Sequence, residues 1–242
     1  MSSTDFLVPL MREPEPCPYL QGEVACMPLY FPRRKLDGAE VDKLWELGYR
    51  RAGHFFYQTA CAACQACQPI RVPVDRFRAS RTQRRVWSRG QREIEMRLDA
   101  PRVEADRVAL INKHRQIRGL AHDRKDLDDD DYAAFLVHRA CLAIEFSYWY
   151  RDRLIGIAIL DQGETSCSAV YTYFDPDFAR YSPGTYSILA QIDYCRRTGA
   201  QWLYLGYFIA DNPHMRYKTR FRPYQLLIDG TWTDFCTLAP QA

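Results

Sequence analysis

Between Cys141 and Phe174 three strand-like runs follow one another with almost nothing between them: Cys141–Tyr150, Leu154–Leu160 and Ser166–Phe174, joined by Arg151-Asp152-Arg153 and by Asp161–Glu164. Connections this short have no room for a crossover helix, so the three runs must pair as an antiparallel meander. The flanking patterns decide what covers it. Ile94, Met96 and Leu98 alternate and read as a strand, whereas Val103–Arg118 and Asp130–His138 carry helical spacing around the acidic turn Asp126–Asp131. After the meander come a helix from Thr185 to Arg197 closed by Gly199, a strand Trp202–Leu205, and a strand pair around Tyr224–Ile228 and Trp232 with Asp229-Gly230 as its turn. Helices, a meander, then helix, strand and hairpin describe an α+β layer fold.

The N-terminal part reads differently. Pro14, Pro16, Pro18, Pro28 and Pro32 keep the first 35 residues irregular, before a helix Ala39–Leu47 ended by Gly48. A short strand His54–Gln58, a tight cysteine loop, and a strand Ile70–Val74 interrupted at Pro73 follow. Ser80 and Gln83 have the spacing of a capping box, and Gly90 stands where a terminal glycine is expected, giving a helix Arg81–Arg89. The expected division is a smaller N-terminal cysteine-containing domain, 1–92, and a C-terminal domain, 93–242. A 242-residue chain with 47% hydrophobic and 26% charged residues is neither disordered nor fibrous.

The net charge of +3 conceals an uneven distribution. Between Arg71 and Arg92 stand eight arginines and one acid, Asp75. Arg81, Arg85 and Arg89 recur every fourth residue on one helix face, with Arg84 beside them. A solvated face would interleave Glu, because like charges at this spacing destabilise a helix. A run of phosphates matches the stripe better, favouring nucleic acid or another polyanion over a bare solvated surface.

Cys61, Cys64 and Cys67, with Cys17 and Cys26 upstream, either ligate a metal or pack as a tight loop. The spacing offers three close ligands and no second knuckle, so the loop is favoured and neither metal nor cofactor is expected. Nine cysteines, three of them (Cys141, Cys167, Cys195) in apolar stretches, read as reduced thiols. With no signal peptide readable before Pro16 and no apolar run long enough for a bilayer, a cytoplasmic, non-membrane protein is expected. His54, His114, His122, His138 and His214 have no nucleophile or metal spacing and are read as structural or solvent-facing. No phosphate loop, dinucleotide fingerprint or G-x-S-x-G elbow is present.

Two C-terminal segments carry further chemistry. Gly184-Thr185 opens a helix after Asp175–Pro183, and backbone N–H groups there suit an anion or a developing oxyanion. Arg216, Lys218, Arg220 and Arg222 alternate with Tyr217 and Phe221 shortly after a strand bearing Tyr204 and Tyr207. This is either a cationic site for a carboxylate-bearing substrate or a rim of surface cations.

The segments that match a known pattern are Cys17-Pro-Tyr-Leu20, Leu47-Gly-Tyr-Arg-Arg-Ala-Gly53, Cys61 through Val72, Phe77 through Arg85, Val170-Tyr-Thr-Tyr-Phe-Asp-Pro176, Gly184-Thr-Tyr-Ser-Ile-Leu189, Tyr204-Leu-Gly-Tyr207 and Met215 through Pro223. In this order, over most of the chain, they resemble the arginyl-tRNA–protein transferase family, in its bacterial branch. The resemblance implies an acetyltransferase-like (GNAT-related) catalytic region and transfer of leucine from leucyl-tRNA to the N-terminal amine of proteins beginning with Asp or Glu, marking them for degradation. Arginyl-tRNA as donor and an acyl-CoA-dependent N-acetyltransferase are the alternatives. A third, a non-enzymatic nucleic-acid-binding protein with a cysteine-bound metal, leaves the tyrosine-rich second region without a use. Eukaryotic relatives pair their cysteines as C-x2-C and C-C around an iron–sulfur cluster. Here Leu20 and Gln68 stand at two of those places.

An aminoacyl ester is already activated, so the enzyme has only to position an amine, deprotonate it and stabilise an oxyanion. On this reading Arg71, Arg78, Arg81, Arg84, Arg85 and Arg89 hold tRNA phosphates. Gly184 and Thr185 face the ester. Asp175, Tyr207 and Lys218 form the catalytic set, with Asp175 or Tyr207 taking the amine proton. Lys218, with Arg220 or Arg222, holds the acceptor's acid beside Tyr217, and Tyr171, Tyr173 and Phe174 are candidate walls for the leucine side chain.

Overall fold

The computed structural model describes residues 4–10, 13–119 and 125–235. The N-terminal segment forms short strands β1 (Leu7–Leu10), β2 (Glu15–Pro16), β3 (Val24–Ala25) and β4 (Leu29–Pro32), helix α1 (Gly38–Glu46), then β5 (Arg50–Ala52) and β6 (Phe55–Tyr57). Next come β7 (Gln68–Pro73), α2 (Arg81–Glu93), β8 (Glu95–Asp99), α3 (Ala105–Ile117) and α4 (Asp129–Tyr132), which runs on as a π-helical turn, Ala133–Val137. The remainder is β9 (Ala143–Tyr150), β10 (Arg153–Gln162), β11 (Ser166–Phe174), a 3₁₀ turn Pro176–Tyr181, α5 (Pro183–Thr198), β12 (Trp202–Phe208), a 3₁₀ turn Arg216–Arg220, and the hairpin β13 (Tyr224–Ile228) and β14 (Thr231–Phe235).

The fold is mixed α+β around one eight-stranded sheet, ordered β14-β13-β7-β12-β11-β10-β9-β8. β9 through β11 form the expected antiparallel meander, β8 adds antiparallel to β9, and β11 pairs parallel with β12 through the crossover helix α5. A four-stranded sheet, β1-β4-β6-β5, belongs to the N-terminal segment. The division expected at 92/93 coincides with no sheet boundary. β7, on its N-terminal side, is hydrogen-bonded between β12 and β13, and α2 packs against α5.

Alternation along the strands sends side chains to three cores. On one face Ile70, Val72, Ala158, Leu160, Cys167, Leu203 and Leu205 pack under α2 and α5. On the other, Ile157, Ile159 and Tyr173 meet α3 and α4, while Tyr204 meets Trp45 and Leu44 of α1. Two ion pairs are enclosed on this second side, Arg51 with Asp161 at 2.6 Å and Arg107 with Glu145 at 2.9 Å, each pair almost wholly buried. Removing one partner would leave a buried charge uncompensated.

Ser80 and Gln83 form the reciprocal cap expected for α2, but Gly90 does not end the helix, which continues to Glu93. Its function is packing. The ring of Tyr186 lies on Gly90, where a Cβ would stand 2.2 Å from Cε2, and the same ring stacks on Trp87 at 5.5 Å, while its hydroxyl accepts from Gln91 Nε2 at 3.1 Å. Ordinarily alanine for glycine inside a helix gains about 1 kcal/mol. Here overpacking reverses the sign, and Gly90→Ala is expected to lose about 1–3 kcal/mol in urea unfolding, with Gly90→Ala/Tyr186→Leu recovering part of it.

Candidate active site

The parallel pairing of β11 with β12 is brief. Ser166, Cys167 and Ser168 face Trp202, Leu203 and Tyr204, and beyond them the strands part, β12 continuing against β7 alone. Clefts at the carboxyl ends of parallel strands are where open α/β sheets bind ligands. At the fork β12 carries a bulge: its register against β7 jumps between Tyr204 and Gly206, and Gly206 has φ +86. Such an extra residue re-aims the following side chain. Tyr207 therefore joins Tyr204 on the face turned to the N-terminal segment, its ring edge-on to Tyr57 at 6.0 Å and its hydroxyl donating to Gly48 O at 3.4 Å.

Two cations bracket this bulge from distant parts of the sequence. The guanidinium of Arg50, on β5, lies across Gly206, where a Cβ would fall 2.8 Å from Cζ. It donates to Ser168 Oγ at 3.3 Å and Ala169 O at 3.1 Å, at the last paired residue of β11 and the one after it. Lys218, from the 3₁₀ turn, points inward, 7% exposed, and its Nζ donates to Tyr207 O at 2.6 Å and contacts Met215 Sδ at 3.2 Å. Burial, with the charge of Arg50 adding to it and Cys67 opposing, pulls the Lys218 ammonium down to about 7. Burial and Tyr57 push the phenols of Tyr207 and Tyr19 well above the usual tyrosine range, so both remain protonated donors.

Of the expected catalytic set, Tyr207 and Lys218 meet and Asp175 stands apart. Asp175 is buried, bonded to Lys113 Nζ at 2.6 Å, to Arg153, and to the N–H of Asp177 at 3.0 Å. Burial resists its ionisation, but these bonds outweigh burial and hold the carboxyl below its ordinary range. It is the start of a 3₁₀ turn and a poor proton acceptor. Tyr173 is likewise closed to a ligand, wholly buried with its hydroxyl 2.7 Å from that of Tyr132, and Tyr171 packs on Phe135 in the same core. Phe174 stays half-exposed beside Gly184, and Gly184 and Thr185 are half-exposed at the start of α5. Both lie at the same end of the sheet as the fork. Tyr217 is 41% exposed.

The basic residues divide in a way their spacing did not reveal. Arg71 is 8% exposed, sandwiched between Trp202 at 3.8 Å and Trp232 at 4.1 Å and bonded to Gln225 Oε1 and Tyr204 OH. It pins β7 to its neighbours and is buried away from the arginine surface of α2. Arg78, Arg81, Arg84, Arg85 and Arg89 are exposed; Arg84 and Arg89 donate to Ala79 O and Arg180 O, and Arg78 to Asp75 O. Arg220 and Arg222 also point outward. The first turn of α2 and the segment leading into it are tied to their backbone, Gln83 Nε2 donating to Arg220 O at 3.0 Å and Arg78 N to Arg222 O at 3.2 Å. Arg220 and Arg222 thus extend the arginine surface of α2 and do not enter the pocket with Lys218.

Cys17, Cys61, Cys64 and Cys67 are half-buried; burial, and then the first three thiols, push that of Cys67 up to about 12. Among the described residues no three His, Cys, Asp or Glu side chains converge as metal ligands. His114 is structural, its Nδ1 2.9 Å from Phe174 O, and His122 lies outside the described residues. No helix among the described residues is long and apolar enough to cross a membrane. Reading the sequence missed Arg50, Tyr19 and Tyr57. The glycine-flanked pair Arg50-Arg51 in Leu47–Gly53 was the available signal.

The sheet forks beside buried Lys218, and an arginine surface runs along α2 to Arg220 and Arg222. Residues 15–85 match the N-terminal profile, and residues 106–228 the C-terminal profile, of arginine-tRNA-protein transferase. The chain belongs to this family and is an aminoacyl transferase. Its relatives include the aspartate/glutamate leucyltransferases of Chromobacterium violaceum, 36% identical and covering 90% of each chain, and Acinetobacter baumannii, 34% identical over 90% of this chain and 81% of that one. That of Hahella chejuensis is 31% identical over 96% and 99%. Solved structures with a more distant likeness include FemX, at 12% identity and a TM-score of 0.49 over 80% of this chain and 67% of that one.

The folded chain sheds the Lys218 proton near pH 7, whereas the unfolded chain holds it to about 10.4. Between those values the unfolded state binds more protons, so Lys218 makes stability rise with pH. Urea unfolding of the wild type and Lys218→Met from pH 7 to 9.5 is expected to diverge steadily in favour of the wild type. Parallel curves would show an ordinary lysine.

Proposed function

We propose that the protein transfers leucine from leucyl-tRNA to the N-terminal amine of proteins beginning with Asp or Glu, in the cytoplasm, and so marks them for degradation. The relatives' names support the donor and acceptors. The observation that carries the chemistry is Lys218, buried at the fork with its ionisation drawn close to neutrality. A proton acceptor works best when its pKa lies near the working pH. Asp175 and Tyr207 are shifted away from that range in opposite directions.

In the reaction the acceptor nitrogen attacks the carbonyl carbon of the ester and a C–N bond forms. Neutral Lys218 takes the proton from the nitrogen. The C–O bond to the terminal ribose then breaks, and the departing oxygen takes that proton from the Lys218 ammonium, which returns to its neutral form. The N–H groups at Gly184 and Thr185, at the start of α5, are the donors for the developing oxyanion. Phe174, beside Gly184, offers an apolar wall for the leucine side chain. Arg78, Arg81, Arg84, Arg85 and Arg89 hold tRNA phosphates, with Arg220 and Arg222 carrying the surface toward the reacting ester. An acetyltransferase-like (GNAT-related) framework is supported by the β11-α5-β12 crossover and the parting of its strands.

Labelled leucyl-tRNA and arginyl-tRNA, each mixed with peptides beginning Asp, Glu, Lys or Ala, test the reading. Leucine on the Asp and Glu peptides is expected. Arginine there would change the donor, and label on no peptide would end the proposal. Lys218→Met is expected to lower kcat by about 10²–10⁴-fold. Arg81→Ala/Arg85→Ala is expected to raise KM for leucyl-tRNA and to reduce the slope of log(kcat/KM) against log salt by about 1 per arginine removed.

A further inference from the structure

Among the described residues Arg50 is a cation without a counter-ion. Among them it meets no carboxylate, and its only hydrogen-bonding partners are a hydroxyl and a backbone carbonyl. Of the other inward-facing arginines on this side of the sheet, Arg51 and Arg107 are each bound to a buried acid, and Arg71, which has no acid, is enclosed between two indole rings and bonded to Gln225 and Tyr204. Half-buried charges are normally paired, and a guanidinium carries more N–H donors than two acceptors satisfy. Lys218, its neighbour across the bulge, meets the same shortage by giving up its proton. Arginine has no such recourse, since it stays charged at any pH a protein survives. The fold nevertheless keeps the guanidinium in place, with Gly206 holding open the space it occupies.

We infer that Arg50 selects the acceptor: its guanidinium, held at the fork of β11 and β12, receives the side-chain carboxylate of an N-terminal Asp or Glu. The inference rests on the leucyl-transfer reading and deepens it by placing recognition in the N-terminal segment. Arg50 and Lys218 flank consecutive residues of β12, Gly206 and Tyr207. A carboxylate on Arg50 therefore sets the acceptor's amine, three bonds from the carboxylate carbon in Asp and four in Glu, beside the group that takes its proton. The fork geometry of a guanidinium matches a carboxylate by two parallel bonds. A side chain without the acid leaves the cation stranded, and sites built on a polar contact reject analogues that lack it.

The test is kcat/KM for peptides beginning Asp and Asn, and Glu and Gln, with leucyl-tRNA as donor. Wild type, Arg50→Gln and Arg50→Lys are compared, each checked for folding by thermal unfolding. Loss of a hydrogen bond to a charged group corresponds to a fall in the Asp:Asn ratio of about 10- to 100-fold in Arg50→Gln. Arg50→Lys, which keeps the charge and loses the fork, is expected to fall between. Equal loss on Asp and Asn peptides, with the ratio kept, overturns the inference, because a merely structural arginine would act that way. A change confined to KM for leucyl-tRNA overturns it too and makes the ligand a phosphate. If Arg50→Gln does not fold, Arg50→Lys decides, an unaltered ratio overturning the assignment. A wild type with no preference for acids sinks the leucyl-transfer reading itself, whereas a preference that survives both variants sinks only the role of Arg50.

Discussion

The parting of β11 from β12 is the constraint on which the rest of the structure turns. Three residues of parallel pairing join the strands before β12 leans toward β7. Backbone groups released at such a fork must find other partners. Arg50 supplies one, by donating to Ala169 O, and Lys218 supplies another, by donating to Tyr207 O. The side chains that repair the sheet are therefore the ones that line its opening. Ligand site and structural defect coincide because the same unsatisfied carbonyls require both.

The N-terminal segment is essential to this arrangement. β7 lies inside the large sheet, Arg71 is clasped by aromatic rings from β12 and β14, and Arg51 reaches Asp161 on β10. Each contact places a charged or polar group of the first third against the second face of the sheet, where water is excluded and geometry is held tightly. The positions of Arg50 and Tyr57 at the fork follow from those anchors.

Much of the framework was legible in the sequence, because periodicity and turn chemistry are local. The meander, the capped α2, the crossover helix and the last hairpin all announce themselves within ten or so residues. The errors came where a tertiary contact decides what a residue does. Gly90 has the look of a terminator, and only Tyr186 explains it as a packing surface. Arg71 sits in a basic run, and only Trp202 and Trp232 remove it from that surface. Tyr207 changes face through a bulge that no hydropathy pattern records. The alternation of Lys218, Arg220 and Arg222 concealed that one of them points in and two point out. For the same reason Arg50 was invisible: a counter-ion's absence is a property of the folded molecule.

The two bonds that tie α2 and the segment before it to the Arg220–Arg222 backbone have a mechanical meaning. A helix of 13 residues is a stiff rod, and its capped first turn is riveted to the segment whose inward residue is Lys218. Under the proposed reading, a nucleic acid resting on the rod presses on one end of a lever whose other end carries the proton acceptor. Tolerance for misalignment is then small, and the two substrates, though held by separate charges, share a single frame of reference.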